Sequence, residues 1–185
     1  VVRPLPRGGA ASAVADAVTY LSEEQTTRFN ARARELELTP NTLAQAAWAL
    51  VLSQYASQRE VVFGVTVAGR PAEIEGIQDT VGLFINTLPL RVAVPRSSEA
   101  RGVAEWLRAL HAENVSLRQY EQLSLVNIQA ESAISRGQPL FHSLFVFENA
   151  PLDRSLEQWG KAFDITFGSH RTHTNYPLTV VVIPG

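Results

Sequence analysis

Cysteine and methionine are both missing from the 185 residues of this sequence. Without cysteine the chain has neither a disulfide nor a thiol nucleophile, and this absence is compatible with a cytoplasmic location. A newly made chain starts with methionine, whereas this one starts with Val1. We therefore interpret the sequence as a piece of a larger polypeptide.

Strong charge and long apolar runs are missing as well. Charged residues make up 18% of the chain, the formal net charge is −2, and no run of like charge stands out. A nucleic-acid partner is therefore not predicted. No apolar stretch approaches the ~20 residues that span a membrane, so no membrane partner is predicted either. What the chain does have is 45% hydrophobic residues, enough to fill the core of a globular domain.

Two helix starts are marked in the first third of the chain. Residues 1–18 are rich in proline, glycine and alanine, which is typical of a linker or entry segment. Ser22 and Gln25 have the spacing of a capping box, which predicts that a helix begins just after Ser22. Thr39 followed by Pro40 predicts a second helix start. Apolar residues cover nearly the whole circumference of this second helix, so we expect it to be buried on several sides.

Apolar runs alternate with further helical patterns along the rest of the chain. A buried strand is predicted at 61–67, and a long strand follows at 83–94. The remaining predicted elements are a helix at 99–118, a short helix at 125–132, and strands at 141–147, 163–167 and 176–183. The inner face of the long helix is predicted to consist of Val103, Trp106, Leu107, Leu110 and Leu117. This alternation predicts an α/β fold with a mixed β-sheet flanked by helices.

The predicted strand at 83–94 carries one polar residue on an otherwise apolar face. With a period of two, the residues on this face are Phe84, Asn86, Leu88, Leu90, Val92 and Val94. A buried amide without partners costs roughly 1–3 kcal/mol. Asn86 therefore either bonds to neighbouring backbone or faces a cavity where something else binds. In the second case its removal should leave folding almost intact.

Few residues are candidates for chemistry. The sequence has no phosphate-binding glycine loop and no Gly-x-Ser-x-Gly nucleophile motif. His170 and His173 lie in a predicted strand or turn and point to opposite faces, so no metal site is predicted. Arg70 follows a buried strand at a tight glycine turn, and it is either an ordinary surface arginine or a side chain held near the sheet. The residues by themselves mark no catalytic group in this chain.

Four stretches of the sequence stand out together, and they are Val62–Pro71, Val81–Arg91, Arg118–Leu125 and Ser135–Phe141. They resemble motifs of the condensation domains of nonribosomal peptide synthetases. Val81–Arg91 is similar to a family run, Gly-x-Phe-(Val/Ile)-Asn-Thr, that ends near an arginine. Arg118–Leu125 departs from the family pattern at its acidic and proline positions. The four occur in the family's order and spacing over about residues 20–183.

The resemblance implies a chloramphenicol acetyltransferase-like fold, in which two similar lobes enclose a tunnel for two phosphopantetheine arms. The family's catalytic signature, His-His-x-x-x-Asp-Gly, lies in the N-terminal lobe and does not occur in this sequence. Residues 19–185 are thus expected to be a partial C-terminal lobe that has no catalytic residue and no condensation activity alone. Arg70, Asn86 and Thr87 are expected to lie along the substrate tunnel.

The activity that the resemblance implies is amide bond formation between a donor and an acceptor thioester, each held on a carrier protein. The expected partners are the N-terminal lobe, donor and acceptor peptidyl carrier proteins, and a neighbouring adenylation domain. No cofactor is expected to bind directly, because 4′-phosphopantetheine arrives on the carrier proteins. One alternative is a stand-alone lobe that docks carrier proteins or forms a homodimer without catalysis. Another is a piece of a different acyltransferase of the same superfamily.

Overall fold

A computed structural model describes residues 15–70, 74–77, 79–95, 102–135, 137–148 and 174–184. Most of the predicted linker, the predicted strand at 163–167, and both His170 and His173 lie outside these residues. The chain divides into two compact units, the first formed by Val1–Val62 and Leu90–Tyr120 and the second by Phe63–Pro89 and Glu121–Gly185.

The described elements are four helices, one 3-10 turn and four strands. The helices are α1 (Glu23–Glu35), α2 (Pro40–Ala56), α3 (Val103–Leu117) and α4 (Leu125–Ala130), and the 3-10 turn is Arg118–Tyr120. The strands are β1 (Glu60–Val67), β2 (Asn86–Ala93), β3 (Ser143–Phe147) and β4 (Leu178–Val182).

The strands form one mixed sheet in the order β2-β1-β3-β4. Strand β3 runs parallel to β1, with Gly64 beside Leu144, and it also runs parallel to β4. The amide of Val94, just after β2, donates to the carbonyl of Arg59, just before β1, at 2.8 Å. The end of β2 therefore lies beside the start of β1, so these two strands are antiparallel. The predicted α/β fold with a mixed sheet and flanking helices is confirmed.

Local hydrogen bonds fix both helix starts in the first unit. Ser22 Oγ accepts from the Gln25 amide at 3.2 Å, and Gln25 Oε1 accepts from the Ser22 amide at 2.8 Å. Thr39 Oγ1 accepts from the Thr42 amide at 3.2 Å, and Pro40 is the first helical residue. Each cap satisfies an amide that has no partner within its helix. The capping box and the Thr-Pro start are confirmed as predicted.

Helix α2 is less buried than its composition predicts. Its buried residues are Thr42, Gln45, Ala46 and Ala49, whereas Leu50 and Val51 are 48% and 42% exposed. The expectation that α2 is buried on several sides is therefore wrong for the described structure. Helices α1 and α3 both pack against α2. Small side chains allow a close approach of helices, so the packed stripe is the one that carries Ala46 and Ala49, while Leu50 and Val51 stay outside.

Helix α3 packs through the middle of its predicted inner face. Trp106, Leu107 and Leu110 are buried, and Trp106 Nε1 donates to the Ala93 carbonyl at 2.9 Å. Val103 is 67% exposed, so its predicted place on the inner face is wrong. Val103 is the first residue of the helix and lies one turn ahead of Trp106, which makes the first buried contact.

The second unit packs aromatic side chains on both faces of the sheet, with Phe63 and Phe145 on one face and Phe141 over Gly64 on the other. Phe63 and Phe145 are 0% and 2% exposed, and their ring centroids lie 6.2 Å apart. Phe141 stacks on Tyr176 with centroids 5.2 Å apart. A Cβ added at Gly64 would collide with the Phe141 ring and lie 3.0 Å from Thr87 Cγ2. Glycine is therefore required at position 64 by packing.

Strand β2 begins three residues later than predicted, at Asn86. Residues 83–85 lie outside the strand, and Leu83 and Ile85 are 95% and 70% exposed. Gly69 has φ +61°, which turns the chain away just after β1 ends. The ladder between β1 and β2 ends there, because residues 83–85 have no β1 residue opposite them.

Candidate functional site

Asn86 bonds to backbone atoms on both sides of its amide group. Its Nδ2 donates to the Glu121 carbonyl at 2.9 Å and to the Leu123 carbonyl at 2.7 Å. Its Oδ1 accepts from the Thr87 amide at 2.8 Å. A carboxamide has two donor hydrogens, so both are used by these two carbonyls. Of the two alternatives for Asn86, bonding to neighbouring backbone is therefore the one that the structure supports.

Asn86 donates to the backbone of segment 121–123, whereas Gln122 donates from that segment to another part of the chain. Its Nε2 donates to the Gly69 carbonyl at 3.3 Å, so segment 121–123 bonds to the chain beyond β1 as well as to the start of β2. We call the side chains of Asn86 and Gln122, with the carbonyls that they bind, the amide clamp. A Cβ at Gly69 would collide with the Phe84 carbonyl oxygen, and its φ of +61° also favours glycine. The Gly69 backbone, whose carbonyl belongs to the amide clamp, thus lies close to the Phe84 backbone, and only glycine leaves room for this approach.

Sequence reasoning missed Gln122. Its position inside the Arg118–Leu125 stretch, which resembles a family motif, was the available signal. An exposed glutamine in a polar loop has no pattern of its own, since its partner is a carbonyl far away in sequence. Only the folded geometry identifies that bond.

Arg70 is held by three contacts near the same end of the sheet. Its Nη1 donates to the Ile77 carbonyl, and its Nη2 donates to the Thr80 carbonyl at 2.9 Å. Its guanidinium carbon lies 4.3 Å from the centroid of the Phe84 ring, a cation–π contact worth about 0.5–1 kcal/mol. Arg70 is therefore not an ordinary surface arginine. Arg70 connects the segment after β1 to residues that precede β2.

Thr87 lies next to Asn86 but on the other face of β2. Side chains alternate along a strand, so Asn86 shares the face of the buried Leu88, whereas Thr87 does not. The Thr87 methyl carbon packs beside Gly64 instead. The structure thus brings Arg70 and Asn86 to the same end of the β1–β2 pair. It does not put the Thr87 and Asn86 side chains on one surface of the sheet.

The described residues contain few groups for acid–base chemistry or metal binding. No group of three or more histidine, aspartate or glutamate side chains in the described ranges could hold a metal ion. His111, on α3, has its Nδ1 3.0 Å from Thr42 Oγ1. Burial raises the pKa of Tyr176 above its ordinary value of 10.0, so this phenol stays neutral at physiological pH. The predicted absence of a metal site at His170 and His173 stays a prediction.

None of the helices that the structure describes is both long enough and apolar enough to cross a membrane.

Comparison with solved structures gives the fold. The chain is 22% identical to the first condensation domain of the calcium-dependent antibiotic synthetase, with a TM-score of 0.57 over 69% of this chain and 27% of that one. It is 31% identical to a structure described as SeMet-CT, with a TM-score of 0.56 over 62% of this chain and 26% of that one. The mixed sheet with flanking helices is thus the chloramphenicol acetyltransferase-like fold of condensation domains.

Comparison with curated proteins gives relatives that are named as synthases. A linear gramicidin synthase of Brevibacillus parabrevis is 47% identical over 164 residues, which are 89% of this chain and 2% of that protein. Chondramide synthase cmdD of Chondromyces crocatus is 43% identical over 89% of this chain and 4% of that protein. The chain therefore spans a small part of the length of these relatives.

The family model named Condensation domain matches residues 6–185 of the chain. This range includes the amide clamp, Arg70 and all of the described strands. The chain therefore belongs to the condensation domain family.

Proposed function

We propose that residues 19–185 form the C-terminal lobe of a condensation domain that makes amide bonds in nonribosomal peptide synthesis. The observation that carries this proposal is the family match over residues 6–185, together with 47% identity to a linear gramicidin synthase. These peptide synthase relatives do not favour a stand-alone docking or self-association module. We propose a cytoplasmic location, with which the absence of cysteine is compatible.

The reaction joins two thioesters. The amine of the acceptor aminoacyl thioester attacks the carbonyl carbon of the donor thioester, so a C–N bond forms and a C–S bond breaks. The donor thiol leaves, and the proton lost by the amine is available to it. The His-His-x-x-x-Asp-Gly signature does not occur in this sequence. We therefore assign this lobe the task of holding the two reactants in line, which can supply a large part of the barrier reduction.

The proposed partners deliver the reactants. They are the N-terminal lobe of the same domain, donor and acceptor peptidyl carrier proteins, and an adjacent adenylation domain. Each carrier protein presents its substrate as a thioester of 4′-phosphopantetheine. This arm contains two amide groups and therefore needs both donors and acceptors along its path.

The described residues fit an arm of this chemistry. Both amide hydrogens of Asn86 are donated to backbone carbonyls. The remaining lone pair of Oδ1 can accept a hydrogen bond from an amide N–H of the arm. Thr87 and Arg70 are both half-buried and lie near the same end of β2, with Thr87 on the opposite face of the strand from Asn86. We assign Arg70, Asn86 and Thr87 to the substrate tunnel on this basis.

The test is reconstitution with loaded carriers. The chain is mixed with a separately made N-terminal lobe that carries the His-His-x-x-x-Asp-Gly signature, and the acceptor carrier is followed by intact-protein mass spectrometry. We expect a dipeptidyl thioester from the mixture and none from either lobe alone. Substitution of the second histidine in the N-terminal lobe is the matched control and should abolish the product. Product formed by this chain alone would overturn the proposal.

A further inference from the structure

We infer that Asn86 acts as a positioning residue that holds segment 121–123. Gln122 holds the same segment through its bond to the Gly69 carbonyl. This inference rests on the proposed function, because it assigns the way in which one tunnel residue serves the reaction. It differs from the role of a side chain that binds the substrate directly.

The hydrogen-bonding capacity of Asn86 is almost fully used by protein backbone. Both of its donor hydrogens end on carbonyls of segment 121–123, at 2.9 and 2.7 Å, and its oxygen accepts from the Thr87 amide. Only one lone pair of Oδ1 has no described partner. A substrate would have to displace one of the carbonyls in order to gain a donor from Asn86. The side chain is therefore arranged to bind protein backbone.

The Gln122 bond runs in the opposite direction to the Asn86 bonds, from the segment toward β1. Asn86 reaches from β2 to the carbonyls on either side of residue 122, whereas Gln122 reaches from the segment to the Gly69 carbonyl. Segment 121–123 is thus bonded to the start of β2 and to the chain just beyond β1. Three hydrogen bonds in two directions fix both its position and its tilt.

The amide clamp is directly followed in the chain by Arg70 on one side and by the cap of α4 on the other. Gly69 directly precedes Arg70, which is itself fixed to Thr80 and Phe84. Ser124 directly follows the segment, and its Oγ caps α4 by accepting from the Asn127 amide at 3.2 Å. A shift of segment 121–123 would therefore be felt at Arg70 on one side and at the start of α4 on the other. Small displacements at reacting groups lower rates steeply.

The two roles for Asn86 predict different couplings with Gln122. If Asn86 binds the substrate, its removal and the removal of the Gln122 bond act on separate steps, and their effects on the rate multiply. If both hold one segment, the segment is already released once Asn86 is lost. Removal of Gln122 in that background then adds little.

The experiment is a double-mutant cycle in the complete domain, made of this chain and its N-terminal lobe. The variants are Asn86→Ala, Gln122→Ala, the double variant, and Gln119→Ala as a matched control. Gln119 is also an exposed glutamine, and no side-chain hydrogen bond joins it to another described residue. We measure kcat and KM for the loaded acceptor carrier, and hydrogen–deuterium exchange of the peptide that contains 121–123.

We expect Asn86→Ala to lower kcat by about tenfold or more and Gln122→Ala by about threefold, with KM nearly unchanged in both. The double variant should match Asn86→Ala alone, and Gln119→Ala should match the wild type. Exchange across 121–123 should rise in all three clamp variants. If Asn86→Ala does not fold, Asn86→Asp replaces it, because it keeps the acceptor for the Thr87 amide and removes both donors.

Two results would overturn the inference. One is multiplicative loss of kcat in the double variant, and the other is a raised KM in Asn86→Ala with unchanged exchange at 121–123. Failure of the proposed function gives a different pattern, because the wild-type domain would then form no amide. Exchange measurements still report on the clamp in that case, so the two failures are distinguishable.

Discussion

The side chain of Asn86 is held by three hydrogen bonds to the backbone, so it connects parts of the fold in addition to its proposed place along the tunnel. Its three hydrogen bonds all end on backbone atoms, and two of them join β2 to carbonyls that are 35 and 37 residues away along the chain. A backbone carbonyl that loses such a donor must find water or remain unpaired, and the second outcome costs about 1–3 kcal/mol. We therefore expect the stability of the chain to depend on this side chain.

The first prediction follows from these bonds. Asn86→Ala should lower the free energy of unfolding of this chain by about 1–3 kcal/mol, as measured by urea denaturation. Gln119→Ala is the control and should change it by less than about 0.5 kcal/mol. If the Asn86→Ala chain is as stable as the wild type, the hydrogen bonds of Asn86 do not stabilise the fold. The alternative in which Asn86 faces a cavity would then be favoured.

The second prediction concerns Gly64. A Cβ there would lie 2.7 Å from Phe141 Cζ and 3.0 Å from Thr87 Cγ2, and Phe141 is only 4% exposed. Gly64→Ala should therefore destabilise the chain by about 1–3 kcal/mol through overpacking. Gly102→Ser is the control, because nothing lies within 4 Å of a Cβ at that helix cap. Equal stability of both variants would contradict the close packing of Phe141 over β1.

At the scale of helices and strands, the local signals were predictable and the packing partners were not. Ser22, Gln25 and Thr39 predict helix starts because each bond spans three residues. The exposed side of α2 could not be predicted, because Ala49 and Leu50 are both apolar and the neighbouring helices decide which of them is buried. The face of β2 was predicted by alternation, whereas the late start of β2 depends on the turn at Gly69.

In the candidate site, too, the residues that stand out could be predicted from the sequence, whereas their bonding partners could not. Asn86 stands out because an amide interrupts an apolar face, and Arg70 stands out because it follows a strand and a glycine. Their partners are carbonyl groups, and every residue has an equivalent one, so residue types cannot identify which carbonyls are used. Gln122 was missed for this reason.

The third prediction tests the packed stripe of α2. Ala49 is 0% exposed and Leu50 is 48% exposed, although both are apolar and adjacent. Ala49→Leu should lower the free energy of unfolding by about 1–3 kcal/mol, because the added atoms have no room. Leu50→Lys should change it by no more than about 0.5 kcal/mol. The reverse order of the two effects would show that α2 packs through the wider apolar face that its composition predicts.

At the scale of the whole molecule, apolar side chains remain exposed in the described structure. Val81, Leu83 and Ile85 lie in the segment just ahead of β2 in the chain and are 99%, 95% and 70% exposed. Exposed apolar patches beyond a few hundred Å² are unusual on monomers and mark surfaces that meet a partner. We propose that this segment belongs to a surface that the lone chain leaves uncovered.

The fourth prediction is association of the isolated chain. We expect it to form a two-fold homodimer or larger species in sedimentation at high concentration, and to bind a separately made N-terminal lobe. Combined Leu83→Ser and Ile85→Ser substitutions should shift the chain toward monomer, because they remove exposed apolar area. Val62→Ser, in a strand and 37% exposed, is the control outside this segment. A monomer that ignores the N-terminal lobe would contradict the proposal.

A segment exchange tests the central claim most directly. The matching segment of the linear gramicidin synthase with which this chain shares 47% identity over 164 residues is replaced by this chain. Intact-protein mass spectrometry then follows peptide transfer to the acceptor carrier. The account predicts that the exchanged synthase still forms the peptidyl thioester on that carrier, and that Asn86→Ala in the inserted segment lowers kcat. An exchanged synthase that folds, retains both loaded carriers and transfers no peptide would contradict it.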